Sequence, residues 1–191
     1  QNRDEARRRL IRALEDTTVF GVTTNRHFLS RIIADDTFGA GEATTAFLQQ
    51  AFSEDPSLQP QELDIRQLAL AACVLDHGSS GQSAWSNAPA TMTPIKLESG
   101  DAIVELLVTR SGNRLTFNMG ETRHTLLLES QRDGRLCIID NGVRQTCQYH
   151  RQGDCLYLQA FGQSWSVRDI THQPARGAGG TGSGRIQASM D

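Results

Sequence analysis

The second half of the chain consists of short alternating stretches separated by turn residues, and this repetition constrains the fold more than any other feature. From residue 94 onward the apolar period is two, as in strands with one buried face. Asn141-Gly142 is the strongest turn signal, because this pair favours a two-residue type I′ hairpin. About eight short strands joined by tight turns predict an up-and-down antiparallel sheet that can close into a barrel. The predicted strands cover residues 95–98, 102–109, 114–118, 123–129, 136–140, 143–149, 155–160 and 165–170.

A helical segment ahead of these strands is apolar on nearly every side. Residues 61–76 carry leucine, isoleucine, valine, alanine and cysteine side chains that do not fall on one helical stripe. A helix of this kind must be surrounded by other elements, and a sheet wrapped around it would explain the pattern. We therefore expect an α+β fold. It has a short N-terminal helical segment, followed by an antiparallel β-barrel of about eight strands around a central helix.

In the first 55 residues the apolar side chains are spaced as in amphipathic helices, except in one short continuous apolar stretch. Apolar residues recur at helical intervals in residues 4–15, after Thr24 or Asn25, and again in residues 44–52. Residues 19–22 predict a short strand between the first two helices, and residues 56–60 predict a loop.

Length and charge restrict the class of protein. The chain has 191 residues and a net charge of -3, enough length to bury a core but no bulk charge that favours nucleic acid or a membrane surface. No apolar run approaches the roughly 20 residues of a membrane span. The chain begins with Gln1 and an arginine-rich stretch rather than a signal peptide. We expect it to derive from a longer, cytoplasmic protein.

The residue types that carry most enzyme chemistry are sparse or scattered. Lys96 is the only lysine and does not follow a glycine, which excludes a phosphate-binding Walker loop. The four cysteines form no Cys-x-x-Cys pair, and the five histidines lack metal-ligand spacing. We interpret the cysteines as buried free thiols. No catalytic, cofactor-binding or metal-ligating residue is identified.

A long loop between the apolar helix and the first strand is the best candidate for a binding element. Residues 77–94 are rich in Ser, Gly, Ala and Pro, and loops of this length are usually functional or disordered. Trp85 in its middle predicts an anchor for a partner. By position in the loop, we expect Trp85, Asn87 and Pro89 to contact that partner.

The N-terminal sequence resembles a known family. Residues 4–29, DEARRRLIRALEDTTVFGVTTNRHFL, are similar to the end of the biotin carboxylase domain of biotin-dependent carboxylases. The similarity lies in an arginine-rich helix ending in Ala-Leu-Glu, then Gly-Val, then Thr-Asn-x-x-Phe-Leu. Residues 37–48 continue the same ending.

The remaining segments resemble the modules that follow in the same family. Residues 184–191 look like the opening of a biotinyl carrier domain, with Ser189 in place of the usual proline. The helix, loop and strands between the two ends are similar to the BT domain of acyl-CoA carboxylase alpha subunits. In the family, that domain is an antiparallel barrel around a helix, with a hook-like loop, and it contacts the carboxyltransferase subunit.

The resemblance implies a domain order and a role. Residues 1–55 would end a biotin carboxylase domain, 56–174 would form the BT domain, 175–184 a flexible Gly-rich linker, and 185–191 the start of the carrier domain. The parent protein would be a carboxylase of the methylcrotonyl-, geranyl- or propionyl-CoA type and would use biotin, ATP and magnesium. This region of it would hold no cofactor. Its partner would be the carboxyltransferase beta subunit of a hetero-oligomer, with neither nucleic acid nor membrane involved. The branched, unsaturated acyl-CoA types are favoured over propionyl-CoA.

Two alternatives belong to other classes. A small-molecule-binding barrel of the lipocalin type would need an empty interior, which the apolar helix at residues 61–76 argues against. A free-standing enzyme would need its own catalytic residues.

Overall fold

The computed structural model describes residues 2–59, 62–78 and 91–173. Its first part is helical, and none of the described helices has the length and apolarity needed to cross a bilayer. The helices are α1 (Arg3–Asp16), α2 (Arg26–Ala34), α3 (Asp36–Ala40), α4 (Phe47–Ala51) and α5 (Ile65–Gly78), with one 3₁₀ turn at Pro56–Leu58.

Capping residues mark the ends of the N-terminal helices. The side chain of Asn2 accepts a hydrogen bond from the Glu5 N–H and caps α1. Asp35 caps α3 by accepting from the Thr37 and Phe38 N–H groups. Gly41 ends α3 with a φ of 81°, which favours glycine. The predicted helices at residues 4–15 and after Asn25 are confirmed.

The predicted strand at residues 19–22 is wrong. This stretch contains neither helix nor strand, and no described strand pairs with it. A strand exists only when a neighbour accepts and donates its backbone hydrogen bonds, so apolar composition alone does not produce one. Val22 is 65% exposed as a result.

A small aromatic cluster holds α2 and α4 together. Phe28 and Phe47 each meet Phe52 edge to face, with ring centroids 5.8 Å and 5.5 Å apart. Ile32 is buried in the same cluster. The guanidinium Nε of Arg7 donates to the Ile33 carbonyl at 3.0 Å and ties α1 to the end of α2. The N-terminal helices therefore have a core of their own.

A buried carboxylate in this segment makes its stability sensitive to pH. Burial alone would raise the pKa of Asp55, but hydrogen bonds from the Ser57 hydroxyl and N–H and from Arg31 lower it below its usual value. The carboxylate therefore stabilises the fold above the unfolded pKa of about 4. That stabilisation is lost as the pH falls through the lower, folded pKa. We expect Asp55→Asn to destabilise this segment at neutral pH by about 1–2 kcal/mol.

The stability of each variant is measured by urea denaturation, followed by helical ellipticity, at pH 7 and at successively lower pH. The difference between Asp55→Asn and the parent should shrink on acidification. Glu54→Gln, at the exposed neighbouring position, is the matched control. An equal loss of stability in the two variants would contradict the role of Asp55.

The second part of the chain is a closed antiparallel barrel. Each strand pairs with the next, and β1 also pairs with β8. Asn141 and Gly142 both have positive φ, 49° and 80°, as the predicted type I′ turn requires. The strands are β1 (Thr91–Ser99), β2 (Ala102–Ser111), β3 (Arg114–Met119), β4 (Thr122–Arg132), β5 (Arg135–Asp140), β6 (Val143–Gln152), β7 (Cys155–Ala160) and β8 (Gln163–Asp169).

Helix α5 fills the barrel core. From Leu68 to Leu75 every side chain of α5 is at most 3% exposed, including residues on all sides of the helix. These side chains form one cluster with the inward-facing residues of the strands. The predicted α+β class, with a barrel around a central helix, is therefore confirmed. The inward strand residues include Leu97, Leu106, Val108, Leu115, Phe117, Leu126, Leu136, Ile138, Leu156 and Leu158.

Ion pairs attach both ends of α5 to the strands. Arg66 donates from Nε to Oδ2 of Asp140 on β5 at 2.8 Å, and its guanidinium also lies 4.6 Å from the Phe161 ring centroid. Arg110 on β2 donates to Asp76 at 3.0 Å. Because the Asp140 side chain is only 1% exposed, these contacts fix how the helix sits in the barrel.

The four cysteines are free thiols, as predicted. Cys73 and Cys147 are buried, and burial raises the pKa of each thiol to about 12. Cys137 and Cys155 are only partly buried, because they occupy outward positions on their strands. The expectation of burial therefore holds for two of the four.

Candidate functional site

The residues predicted to bind a partner cannot be placed. Trp85, Asn87 and Pro89 lie outside the described residues, as do the predicted linker and carrier segments. Helix α5 reaches Gly78 and β1 begins at Thr91, so residues at both ends of the predicted loop at 77–94 belong to α5 and β1 instead. The partner-binding role of the three residues stays a prediction, and so do the predicted domain boundaries.

The described residues contain a different candidate, where the N-terminal segment meets the barrel. Gln159 on β7 lies at its centre and is 5% exposed. Its amide Nε2 donates to the carbonyls of Glu15 and Thr17, at 2.9 Å and 2.8 Å. Its Oε1 accepts from Nη2 of Arg26 at 3.2 Å. One side chain of the barrel thus holds both the end of α1 and the start of α2.

Arg26 completes this connection. It is the first residue of α2 and is only 8% exposed. Nη1 donates to the Leu14 carbonyl at 2.9 Å, and Nη2 donates to Ser164 Oγ at 2.8 Å. Burial lowers the pKa of the guanidinium, which still remains protonated at neutral pH.

No carboxylate in the described part of the chain neutralises the charge of Arg26. Among the described residues, none of the ion pairs includes it. Its Nε is buried and has no hydrogen-bond partner there. Buried charges are normally paired, so this guanidinium is unusual in the part of the chain that the structure describes.

Arg26 lines a cleft of about 450 Å³, which we call the Arg26 cleft. Its lining includes residues 19–24, the first turn of α2, and residues of β7 and β8. Phe20 and Tyr157, both in this lining, pack against each other with ring centroids 6.2 Å apart. The lining comprises Val19, Phe20, Gly21, Val22, Thr23, Thr24, Arg26, His27, Ser57, Gln59, Leu63, Gln67, Tyr157, Gly162, Gln163, Ser164, Trp165 and Ser166.

Two further side chains determine the electrostatics of the cleft. Burial, followed by the charge of Arg31, lowers the pKa of His27, so its imidazole is neutral at pH 7. Trp165 keeps its indole Nε1 buried without a partner among the described residues. At neutral pH Arg26 is therefore the permanent cation among the residues that line the cleft.

The sequence offered no signal for this cleft. Gln159 and Arg26 are separated by 133 positions and belong to no spacing motif. A polar residue at a buried strand position is the one local sign that Gln159 has a partner, and recognising it requires the strand register.

Comparison with known proteins bears on the N-terminal segment. Residues 1–50 match the family model of the biotin carboxylase C-terminal domain. No curated protein matches the chain. The matched residues are about a quarter of the 191 and include α1 to α3 and most of α4. This part of the chain is thus similar to a region of biotin-dependent carboxylases, in the alpha subunit that contains the biotin carboxylase domain.

Proposed function

We propose that this chain is a region of the alpha subunit of a biotin-dependent acyl-CoA carboxylase. In this proposal it is a non-catalytic assembly region, which docks the biotin carboxylase and biotinyl carrier modules onto the carboxyltransferase beta subunit. The observation that carries the proposal is the match of residues 1–50 to the biotin carboxylase C-terminal domain.

The way in which the matched segment meets the barrel supports an assembly role. Gln159 binds two carbonyls of the segment, and Arg26 returns two hydrogen bonds to the barrel, to Gln159 and Ser164. These contacts are buried and convergent, so they resist relative movement of the two parts. A barrel attached in this way can position a carboxylase module relative to a partner.

The filled core also favours assembly over ligand transport. A lipocalin-type barrel holds its ligand in the interior, but here α5 occupies that space with side chains at most 3% exposed. We therefore assign the barrel a structural role.

Biotin, ATP and magnesium belong to other parts of the parent protein in this proposal. The parent would be a cytoplasmic bacterial hetero-oligomer of the methylcrotonyl-, geranyl- or propionyl-CoA carboxylase type, with the branched, unsaturated substrates favoured. Acyl-CoA selection would take place on the beta subunit. The loop residues Trp85, Asn87 and Pro89 would contact that subunit.

The test is size-exclusion chromatography with light scattering of the 191-residue chain mixed with the carboxyltransferase subunit from the same genome. We expect co-elution at tens of micromolar, and its loss in Trp85→Ala, because truncation of a central aromatic anchor removes much of the binding energy. Val143→Ala, at a position 58% exposed on β6, is the control and should co-elute normally.

Two results would count against the proposal. Separate elution of the two unaltered proteins would reject docking through this region. Co-elution that persists in Trp85→Ala would reject the loop as the main contact. If the proteins elute separately, saturable binding of a fluorescent fatty acid to the isolated chain that persists in Arg26→Gln would instead favour the lipocalin-type function.

A further inference from the structure

We propose that the Arg26 cleft binds a small organic monocarboxylate with an apolar body. This inference is independent of the proposed assembly function, because it depends only on the residues that line the cleft.

The first argument is charge. Arg26 is 8% exposed and lacks a carboxylate partner among the described residues. A guanidinium removed from water is stable only when other groups replace its hydration, and an anion does this best. Its present partners are the neutral oxygens of Leu14, Gln159 and Ser164. An anionic ligand would supply the missing countercharge.

The second argument is the type of group left unpartnered. The Arg26 Nε and the Trp165 Nε1 are both hydrogen-bond donors, both are buried, and neither has a described partner. The first turn of α2 adds to them, because Arg26 and His27 line the cleft and the side chain of the N-cap residue Asn25 makes no capping hydrogen bond. The positive end of the helix dipole therefore lies beside the cleft. Unsatisfied donors beside a positive helix end favour an acceptor with negative charge.

The third argument separates a carboxylate from a phosphate. Both protons of the Arg26 Nη2 are engaged, by Gln159 and Ser164, and one proton of Nη1 by the Leu14 carbonyl. Among the described contacts this leaves two of the five guanidinium donors unused, the Nε–H and one Nη1 proton. One positive charge and few free donors match a singly charged carboxylate better than a doubly charged phosphate group.

The fourth argument concerns the body of the ligand. A cleft of about 450 Å³ falls within the range of sites for small organic molecules. Phe20, Tyr157 and Trp165 supply aromatic surface, and Val19 and Leu63 supply aliphatic surface. An inorganic anion would leave most of this surface unused, whereas an aromatic or short aliphatic acid would cover it.

The experiment observes the two unpartnered donors directly. In a ¹⁵N-labelled sample of the full chain, the Arg26 Nε–H and the Trp165 indole N–H give their own NMR signals. We titrate with benzoate at pH 7 and compare it with benzamide, the neutral isostere, and with inorganic phosphate. We expect both signals to shift saturably with benzoate and to remain unchanged at equal concentrations of the other two.

Two variants test the assigned donors. Arg26→Gln should abolish the saturable shift of the Trp165 signal. Trp165→Phe removes one donor while keeping an aromatic ring, and should weaken benzoate binding about tenfold, as loss of one hydrogen bond to a charged group predicts. Trp165→Phe keeps the test decisive if Arg26→Gln fails to fold. Arg168→Gln, on the same strand and about half exposed, is the control and should bind as the parent does.

Three results would overturn the proposal. If benzoate leaves both signals unshifted at millimolar concentration, the cleft does not bind such acids. If benzamide shifts them equally, the negative charge has no role. If phosphate shifts them at lower concentration than benzoate, the site selects a different anion.

Discussion

Replacement of Phe117 by alanine should lower the free energy of unfolding of the barrel by about 3–5 kcal/mol. Phe117 is completely buried on β3 and belongs to the cluster that includes α5. Its ring fills space between a closed sheet and an enclosed helix, so neighbouring elements cannot collapse into the cavity. The loss therefore includes both the transfer of the ring to water and the cost of the cavity.

Urea denaturation followed by near-ultraviolet signal provides the measurement. The urea concentration at the midpoint should fall. The dependence of the unfolding free energy on urea concentration should change little, because the amount of surface exposed on unfolding stays similar. Val143→Ala is the matched control, since it truncates an apolar strand residue that is 58% exposed, and it should change stability by less than about 0.5 kcal/mol. A small effect at Phe117 would mean that α5 does not lie tightly inside the barrel.

Replacement of Gln159 by leucine should release the N-terminal segment while the barrel stays folded. Leucine has a similar size but leaves the carbonyls of Glu15 and Thr17 and one guanidinium proton of Arg26 without partners. Each buried group left unsatisfied costs about 1–3 kcal/mol. Helix α1 is sensitive to this change because it has no fully buried residue of its own.

Amide hydrogen exchange measures this effect residue by residue. We expect exchange in α1 to accelerate about 10–100-fold, which corresponds to a loss of about 1.4–2.7 kcal/mol of local stability. Exchange in β3 and β5 should remain unchanged. Gln152→Leu, at an exposed position on β6, should alter neither region. Unchanged exchange in α1 of Gln159→Leu would show that other contacts hold the segment.

Local patterns in the sequence account for most of the barrel. The alternation of apolar residues with a period of two predicted all eight strands. The observed strands extend the predicted ranges by a few residues where hairpin pairing continues, as in β1 and β6. Asn141 and Gly142 adopt the positive φ angles that their residue types favour. The all-round apolar character of α5 indicated its interior position. These features could be predicted because each depends on residues close together in the chain.

The candidate site could not be predicted in this way. Residues 19–22 have the composition of a strand, yet they form the irregular wall of a cleft because no described strand pairs with them. Arg26 looks like an ordinary polar residue at the start of a helix, and its burial arises from Gln159 and Ser164, far away in sequence.

The sequence by itself determined the class of fold, the number of strands, their turns and the helix that fills the core. It could do so because the apolar period shows which faces of each strand and helix are buried. Only the tertiary structure decided that Gln159 joins the helical segment to the barrel, and that Arg26 and Trp165 share a cleft with unpartnered donors. Hydrogen bonds between residues more than 130 positions apart depend on strand register and on how the helices dock. No local pattern specifies either of these.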